Sequence, residues 1–212
     1  MRRRVVITGF GCITALGKDP ETLWKNLLAG KSGISRIENF DPTDYPTKIA
    51  AEVKDFDPEQ YMDKREARRM DRFVQFGLAA AKEAVKNANL TITEENAERI
   101  GVYIGSGIGG LSTWEEQHQI LMEKGPRRVS PFFIPMLIAN MASGIASIEL
   151  GAKGPTSSAI TACATGTNSI GDAFRLIQFG QADAMITGGT EATIRPMGMA
   201  GFLFIKGNVY SQ

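Results

Sequence analysis

"SSAITACATGTNSIGDAFRLIQFGQADAMITGG" (residues 157–189) is the stretch on which the fold turns. "SSAITA" reads as a strand of small residues, and "ADAMITGG" as another strand. Between them, "GTNSIGDAFRLIQFG" repeats Ile170, Ala173, Phe174 and Ile177 at helical spacing, which predicts a helix pinned to a sheet by one apolar face. Strand, helix, strand is the unit of a parallel sheet. Cys163 stands at the turn between the first strand and the helix, among the small residues Ala162, Ala164, Thr165 and Gly166. A helix N-terminus aimed at a thiol favours its nucleophilic anion, because unpaired N–H groups and the dipole point there. Strand, sharp turn and helix is also the arrangement that exposes a nucleophile at a sheet edge. By spacing alone, Cys163 is either such a nucleophile or a small buried cysteine in a tight turn.

Outward from this stretch, the alternation continues. "RVVITGFG" (4–11) predicts a strand buried on both faces, "DPETLWKNLLAG" a helix opened by Asp19-Pro20, and "RIGVYIGSG" a further strand. Residues 31–62 are irregular and carry Pro42, Pro46 and Pro58. One long helix is expected over 63–88, another over "STWEEQHQILMEKG", closed by Gly125, and a buried one over "IPMLIANMASGIASIELG". The expectation is a mostly parallel α/β sheet covered on both faces, in one domain. Twenty-four Lys and Arg against 23 Asp and Glu leave no global field for nucleic acid or an anionic membrane. No run of 18 apolar residues supplies a membrane span. Two cysteines make no disulfide framework and cannot alone hold a zinc, which suits a cytoplasmic protein. Cys12 lacks the mount of Cys163 and reads as core.

"TACATGTNSIGDAF" followed by "ADAMITGGTEA" resembles the active-site region of the β-ketoacyl-acyl-carrier-protein synthases, the condensing enzymes of bacterial fatty-acid synthesis, and most closely their type II members. "RRVVITGFGCITALG", "KREARRMDRF", "IGSGIGG" and "KGPRRVSPFFIP" match the same family in the same order, so the resemblance runs from residue 1 to about 202. It implies a thiolase-like fold of αβαβα layers, of which this chain supplies the first βαβ half, incomplete. Residues 1–202 form the N-terminal thiolase-like domain, and 203–212 a divergent tail. It also implies a homodimer, with Thr161 and Ala162 near its axis.

The implied chemistry is a two-step acyl transfer. Cys163 takes the acyl group of an acyl-acyl carrier protein, its backbone N–H serving the oxyanion hole. Malonyl-acyl carrier protein then loses CO2 and its carbanion displaces the thiol. By resemblance, Ile108 helps line the acyl pocket, Phe133 and Ile134 reach toward the partner subunit's acyl pocket, and Phe202 gates that pocket beside Cys163. Lys64, Arg65, Arg68, Arg69, Arg127 and Arg128 receive the acidic carrier protein; read by themselves, they are a solvated helix face and a short basic turn. No cofactor is expected, because the phosphopantetheine arrives on the carrier.

The family is about twice as long, and its second half carries two active-site histidines, a lysine and a glycine-rich loop. The only histidine here, His118, sits on a polar helical stretch and reads as a solvated surface residue. The chain alone is therefore expected not to complete turnover. Two other readings stay open. "GSGIGG" (105–110) fits G-x-G-x-x-G between a strand and a helix, as in a nicotinamide-dependent Rossmann oxidoreductase, but no strand ending in Asp or Glu follows. A non-catalytic fragment or partner of a synthase, keeping the dimer and carrier surfaces, is the third.

Overall fold

The computed structural model describes residues 3–203, so the tail expected over 203–212 lies outside the described residues from 204 onward. Three parallel strands form the sheet in the order β4 (Thr156–Ser157), β3 (Ile100–Gly105), β5 (Ala184–Gly189). β3 is central because "IGVYIG" is apolar on both faces, and all of it but Tyr103 is buried. It pairs with β5 from Ile100↔Ala184 to Gly105↔Gly189. With β4 it pairs only at Val102↔Thr156 and Tyr103↔Ser157, so the strand expected over "SSAITA" is shorter and begins earlier. Ser143 ends that ladder. Its buried hydroxyl accepts from Ile104 N–H at 2.6 Å and donates to the Ser157 carbonyl at 2.6 Å, filling the ladder position between the two strands. Residues 158–161 are thereby released to turn.

The N-terminal stretch 4–11 is not the buried strand that its β-branched run predicts. Among the described residues no strand lies beside it, and Ile7 is 70% exposed. Its backbone rests instead on α3 (Arg72–Asn87): Phe10 N–H donates to Asn87 Oδ1 at 3.0 Å. A Cβ on Gly9 would stand 2.5 Å from the Ala84 carbonyl oxygen, and one on Gly11 only 1.9 Å from that of Ala80. These glycines serve a strand-on-helix contact rather than a sheet.

Helices cover both faces of the sheet. α3 and α6 (Met141–Leu150) lie on one side, where Phe73, Val74, Leu78, Ala142 and Ala146 pack with Val102, Ile104 and Ile186 into the core. α7 (Thr165–Gln178) lies on the other, against β3 and β5. α1 (Pro20–Leu28), capped by Asp19, buries none of its residues, and the region 31–62 holds the short ribbon of β1 (Ser35–Arg36) and β2 (Ile49–Ala50) and one 3-10 turn at Pro58–Gln60. The apolar segment after Pro131 is two helices, α5 (Phe133–Leu137) and α6, parted where Gly110 N–H donates to the Leu137 carbonyl. Among the described residues, no helix is long and apolar enough to cross a membrane.

The helix expected over 63–88 is likewise divided, into α2 (Lys64–Ala67) and α3, and Asp71 is the reason. Its buried carboxylate caps α3 through Phe73 N–H (3.2 Å) and also accepts from the N–H and hydroxyl of Thr113 (2.8 and 2.7 Å). Thr113 lies in the first turn of α4 (Leu111–Lys124), which has no side-chain cap of its own. One carboxylate thus serves two helix N-termini. Asp71→Ala strands three buried donors, so a loss of about 2–4 kcal/mol in urea-denaturation stability is expected. Asp71→Asn, which keeps one acceptor, should lose roughly half as much on the same basis. A change below about 0.5 kcal/mol for the alanine variant would contradict this role.

Candidate active site

Thr161 to Ala164 form a single tight turn that feeds α7. Ala162 is the strained residue, with φ of 49° in the left-handed region that disfavours side chains. Its conformation is held locally. Thr161 N–H donates to the buried hydroxyl of Thr165 at 2.8 Å, and Ala164 N–H to the Thr161 carbonyl at 3.0 Å. Thr165 N–H donates to the Ala162 carbonyl. Among the described residues these bonds leave out the N–H of Cys163, the residue at the head of the turn. The Cys163 thiol is exposed and free. The nucleophile and buried-cysteine readings therefore part here: a packing thiol would be enclosed.

The helix reaches this position by packing through its small residues. Thr165, Ser169 and Ala173, spaced by four, are buried. A Cβ on Gly105 would lie 2.3 Å from Thr165 Cγ2 and 2.8 Å from Ser169 Oγ, and one on Gly189 would lie 2.9 Å from Gly166 Cα. The apolar face expected to pin α7 is only partly used: Ala173 is buried, whereas Ile170 and Phe174 are 49% and 43% exposed. Large side chains would hold the helix off the sheet, so they point away from it.

The loop Ser106–Gly110 stands across from the turn. Gly107 comes so close that a Cβ there would lie 3.4 Å from the Ala162 carbonyl oxygen and 3.0 Å from Glu191 Oε2. Glu191 accepts from Gly107 N–H (2.8 Å) and from the Ser106 hydroxyl (3.0 Å). The glycines of this G-x-G-x-x-G string are occupied by the protein itself. Gly109 (φ 78°) and Gly110 sit on α5, where added Cβ atoms would meet the Leu137 and Met136 carbonyls at 2.6 and 2.2 Å. No berth for a pyrophosphate is left over them, which disfavours the dinucleotide reading.

A cavity of about 590 Å³ opens between Ile108, Leu137, Ile138, Asn140, Ser158 and Ile160. Ile108, expected at the acyl pocket, is among its lining residues. Phe133 and Ile134 lie on α5 without entering it, and Phe202 is exposed on α8 (Pro196–Leu203). Ile160, Leu137 and Glu191 were not singled out from the sequence. The one available signal was an acidic residue directly after a strand of small residues, at the carboxyl end of the sheet where α/β sites form.

The basic residues lie on two stretches, 64–69 and the turn Pro126–Arg128. The Arg69 guanidinium lies 4.7 Å from the ring centroid of Phe132, four residues beyond Arg128. Lys64 pairs with Glu59 (2.7 Å) and Arg69 with Glu66 (3.3 Å). Arg65, Arg68, Arg127 and Arg128 are exposed and in no ion pair among the described residues. His118 is exposed and stacks on Trp114, with ring centroids 5.3 Å apart, as a surface residue does.

Comparison with known proteins agrees with this geometry. The family model described as "Beta-ketoacyl synthase, N-terminal domain" matches residues 2–209. The 3-oxoacyl-[acyl-carrier-protein] synthase 2 of Staphylococcus aureus (strain COL) is 59% identical over 200 residues, which are 94% of this chain and 48% of that protein. The synthase of the same name from Synechocystis sp. is 54% identical over 201 residues, 95% of this chain and 48% of that one. Among solved structures, the ishigamide ketosynthase/chain length factor superposes with a TM-score of 0.85 at 31% identity, over 95% of this chain and 50% of that one. AntDE:AntF, a type II PKS acyl-carrier protein in complex with its ketosynthase bound to the hexaketide, gives 0.82 at 25% identity, over 95% and 55%. The fold is thus the thiolase-like α/β fold of ketosynthases. The chain spans about half the length of the curated relatives it matches.

The two thiols differ in a measurable way. Burial, and secondarily the charge of Asp19, push the Cys12 thiol up from its ordinary pKa, so it stays protonated to higher pH. Since the thiolate is the reacting form, iodoacetamide at pH 7 should alkylate exposed Cys163 at least about tenfold faster than Cys12. The gap should narrow as pH rises through the raised Cys12 value. Equal labelling in the folded protein at pH 7 would contradict this.

Proposed function

This chain belongs to the β-ketoacyl synthase family, and we propose that it serves fatty-acid chain elongation by carrying the acyl group on Cys163. The observation that supports this most directly is the exposed thiol at the head of α7, on a turn held by Thr165 and Gly107. In the first step the Cys163 sulfur attacks the thioester carbonyl of an acyl chain borne on the phosphopantetheine of an acyl carrier protein. A sulfur–carbon bond forms, and the carrier's thiol leaves and takes a proton. The N–H of Cys163, left out of the turn's bonds, faces the developing oxyanion.

In the second step malonyl-acyl carrier protein loses CO2. The electron pair of the broken bond attacks the acyl-cysteine carbonyl, forms the new carbon–carbon bond and returns the Cys163 thiolate. The product is a 3-oxoacyl chain two carbons longer. The family stabilises that carbanion with histidines and a lysine, for which exposed His118 is no substitute. The residues described above serve the acylation step.

Arg65, Arg68, Arg127 and Arg128, with Arg69 against Phe132, receive the acidic carrier protein, whose phosphopantetheine supplies all the cofactor the reaction needs. The exposed ladder edge at Thr156–Ser157 and exposed Ile160 favour a homodimer, in which Phe133 and Ile134 of one copy reach the other copy's cavity. Phe202 stands as a gate on α8. A cytoplasmic setting suits two free thiols.

Intact-mass measurement after incubation with lauroyl-CoA tests the reading. One lauroyl group is expected on the parent and on Cys12→Ala, and none on Cys163→Ala. A parent that never acquires the group, or a Cys163→Ala variant that still does, would overturn it. Docking has a separate test. Arg68→Glu should weaken acyl-carrier-protein binding about fivefold at low salt, with a loss that shrinks as salt rises, as expected of an exposed charge. Unchanged binding at low salt in a folded variant would return the patch to a solvated helix face.

A further inference from the structure

Glu191 has no part in the acyl transfer above, yet it anchors the near end of the loop beside Cys163, whose far end rests on α5. Its mount is rigid. Thr190 continues the β5 ladder by donating its N–H to the Gly105 carbonyl at 2.9 Å, and its hydroxyl donates to the Phe73 carbonyl at 2.6 Å. From that position the Glu191 carboxylate accepts the Gly107 N–H at 2.8 Å on one oxygen and the Ser106 hydroxyl at 3.0 Å on the other. Ser106, itself buried, accepts Gly109 N–H at 3.0 Å and passes the anchorage to the far end of the loop. Gly107 is thus held between a carboxylate and the backbone of Ala162, and a Cβ there would press on Glu191 Oε2 at 3.0 Å. The next residue, Ile108, lines the cavity.

We propose that Glu191 is a positioning residue that fixes where Ile108 stands between Cys163 and the cavity, and so sets how readily an extended alkyl chain is received there. The physical reason is the balance at Ile108. Its side chain is 44% exposed at the rim of a cavity whose other walls include Leu137, Ile138 and Ile160. Without its anchors, Ile108 gains by folding over those apolar walls. A folded-over Ile108 would narrow the entrance to a long chain and leave the thiol itself open to a small reagent.

The proposal rests on the reading of Cys163 as an acyl acceptor, but its test does not. N-Ethylmaleimide and N-decylmaleimide each form one thioether at an accessible thiol without a carrier protein. Their rates at Cys163 are followed by intact mass in a Cys12→Ala background. In Glu191→Ala the ethyl reagent should stay within about twofold of the parent, while the decyl reagent slows about fivefold or more, as a displaced positioning group predicts. Glu191→Gln, which keeps an acceptor for Gly107 N–H, should recover most of that loss. An unchanged decyl-to-ethyl ratio, or an equal slowing of both reagents, overturns the proposal. If Glu191→Ala does not fold, Glu191→Asp decides: it keeps the charge but stands one methylene short of both donors, and an unchanged ratio there overturns the proposal equally. A parent that refuses the lauroyl group yet shows the expected ratio change loses the acyl reading and keeps this one.

Discussion

The distance between α7 and the sheet governs the rest of this structure. Gly105 and Gly189 face each other across the β3–β5 ladder, and the first turn of the helix sits directly on them. A single methyl group at either glycine would collide with Thr165 or Gly166. Because the helix can come down that far, its first turn reaches the ends of the strands, and the chain entering it must bend within four residues. The left-handed backbone of Ala162 absorbs that bend, and Cys163 follows at its crest. The exposed position of Cys163 is a by-product of close packing that only small side chains permit.

Polar groups placed in dry positions hold the loops around it. Ser143 replaces a ladder bond between β3 and β4, Asp71 joins the starts of α3 and α4, and Thr165 closes the turn that carries Cys163. Each is buried, and each would cost more to leave unpaired than it contributes when paired. That asymmetry makes such bonds directional in a way that apolar contacts are not. Among the described residues no buried side-chain nitrogen or oxygen lacks a partner.

Elements with a complete local signal were legible in the sequence. β3, β5 and α7 each combine an apolar run with a clear stop, and Cys163 stands out because its neighbours are small. Elements defined by a distant partner were not. "RVVITGFG" says extended and apolar, but a strand also needs an edge to pair with; Gly9 and Gly11 in fact report the closeness of α3. Periodicity runs unbroken through Met70 and Phe73 because it does not register that Asp71 is claimed by Thr113, 42 positions away. On α7, hydrophobicity picks Ile170 and Phe174, while the sheet selects Thr165, Ser169 and Ala173 for their size. Glu191 was hidden for the same reason as Asp71: its donors, Ser106 and Gly107, belong to another strand's loop.

The β3–β5 register also has a bearing on time. Tyr103 and Thr187 are partners 84 positions apart, and the glycines that seat α7 belong to the same two strands. During synthesis, at about 5–20 residues per second, a ribosome adds the intervening chain over several seconds. Within that interval Cys163 is made 26 residues before Gly189, half of the floor beneath its helix, a lead of about 1–5 s at that rate. Contacts of such long sequence separation are slow to close. The thiol therefore emerges on an unfinished chain and acquires its turn only once β5 has docked.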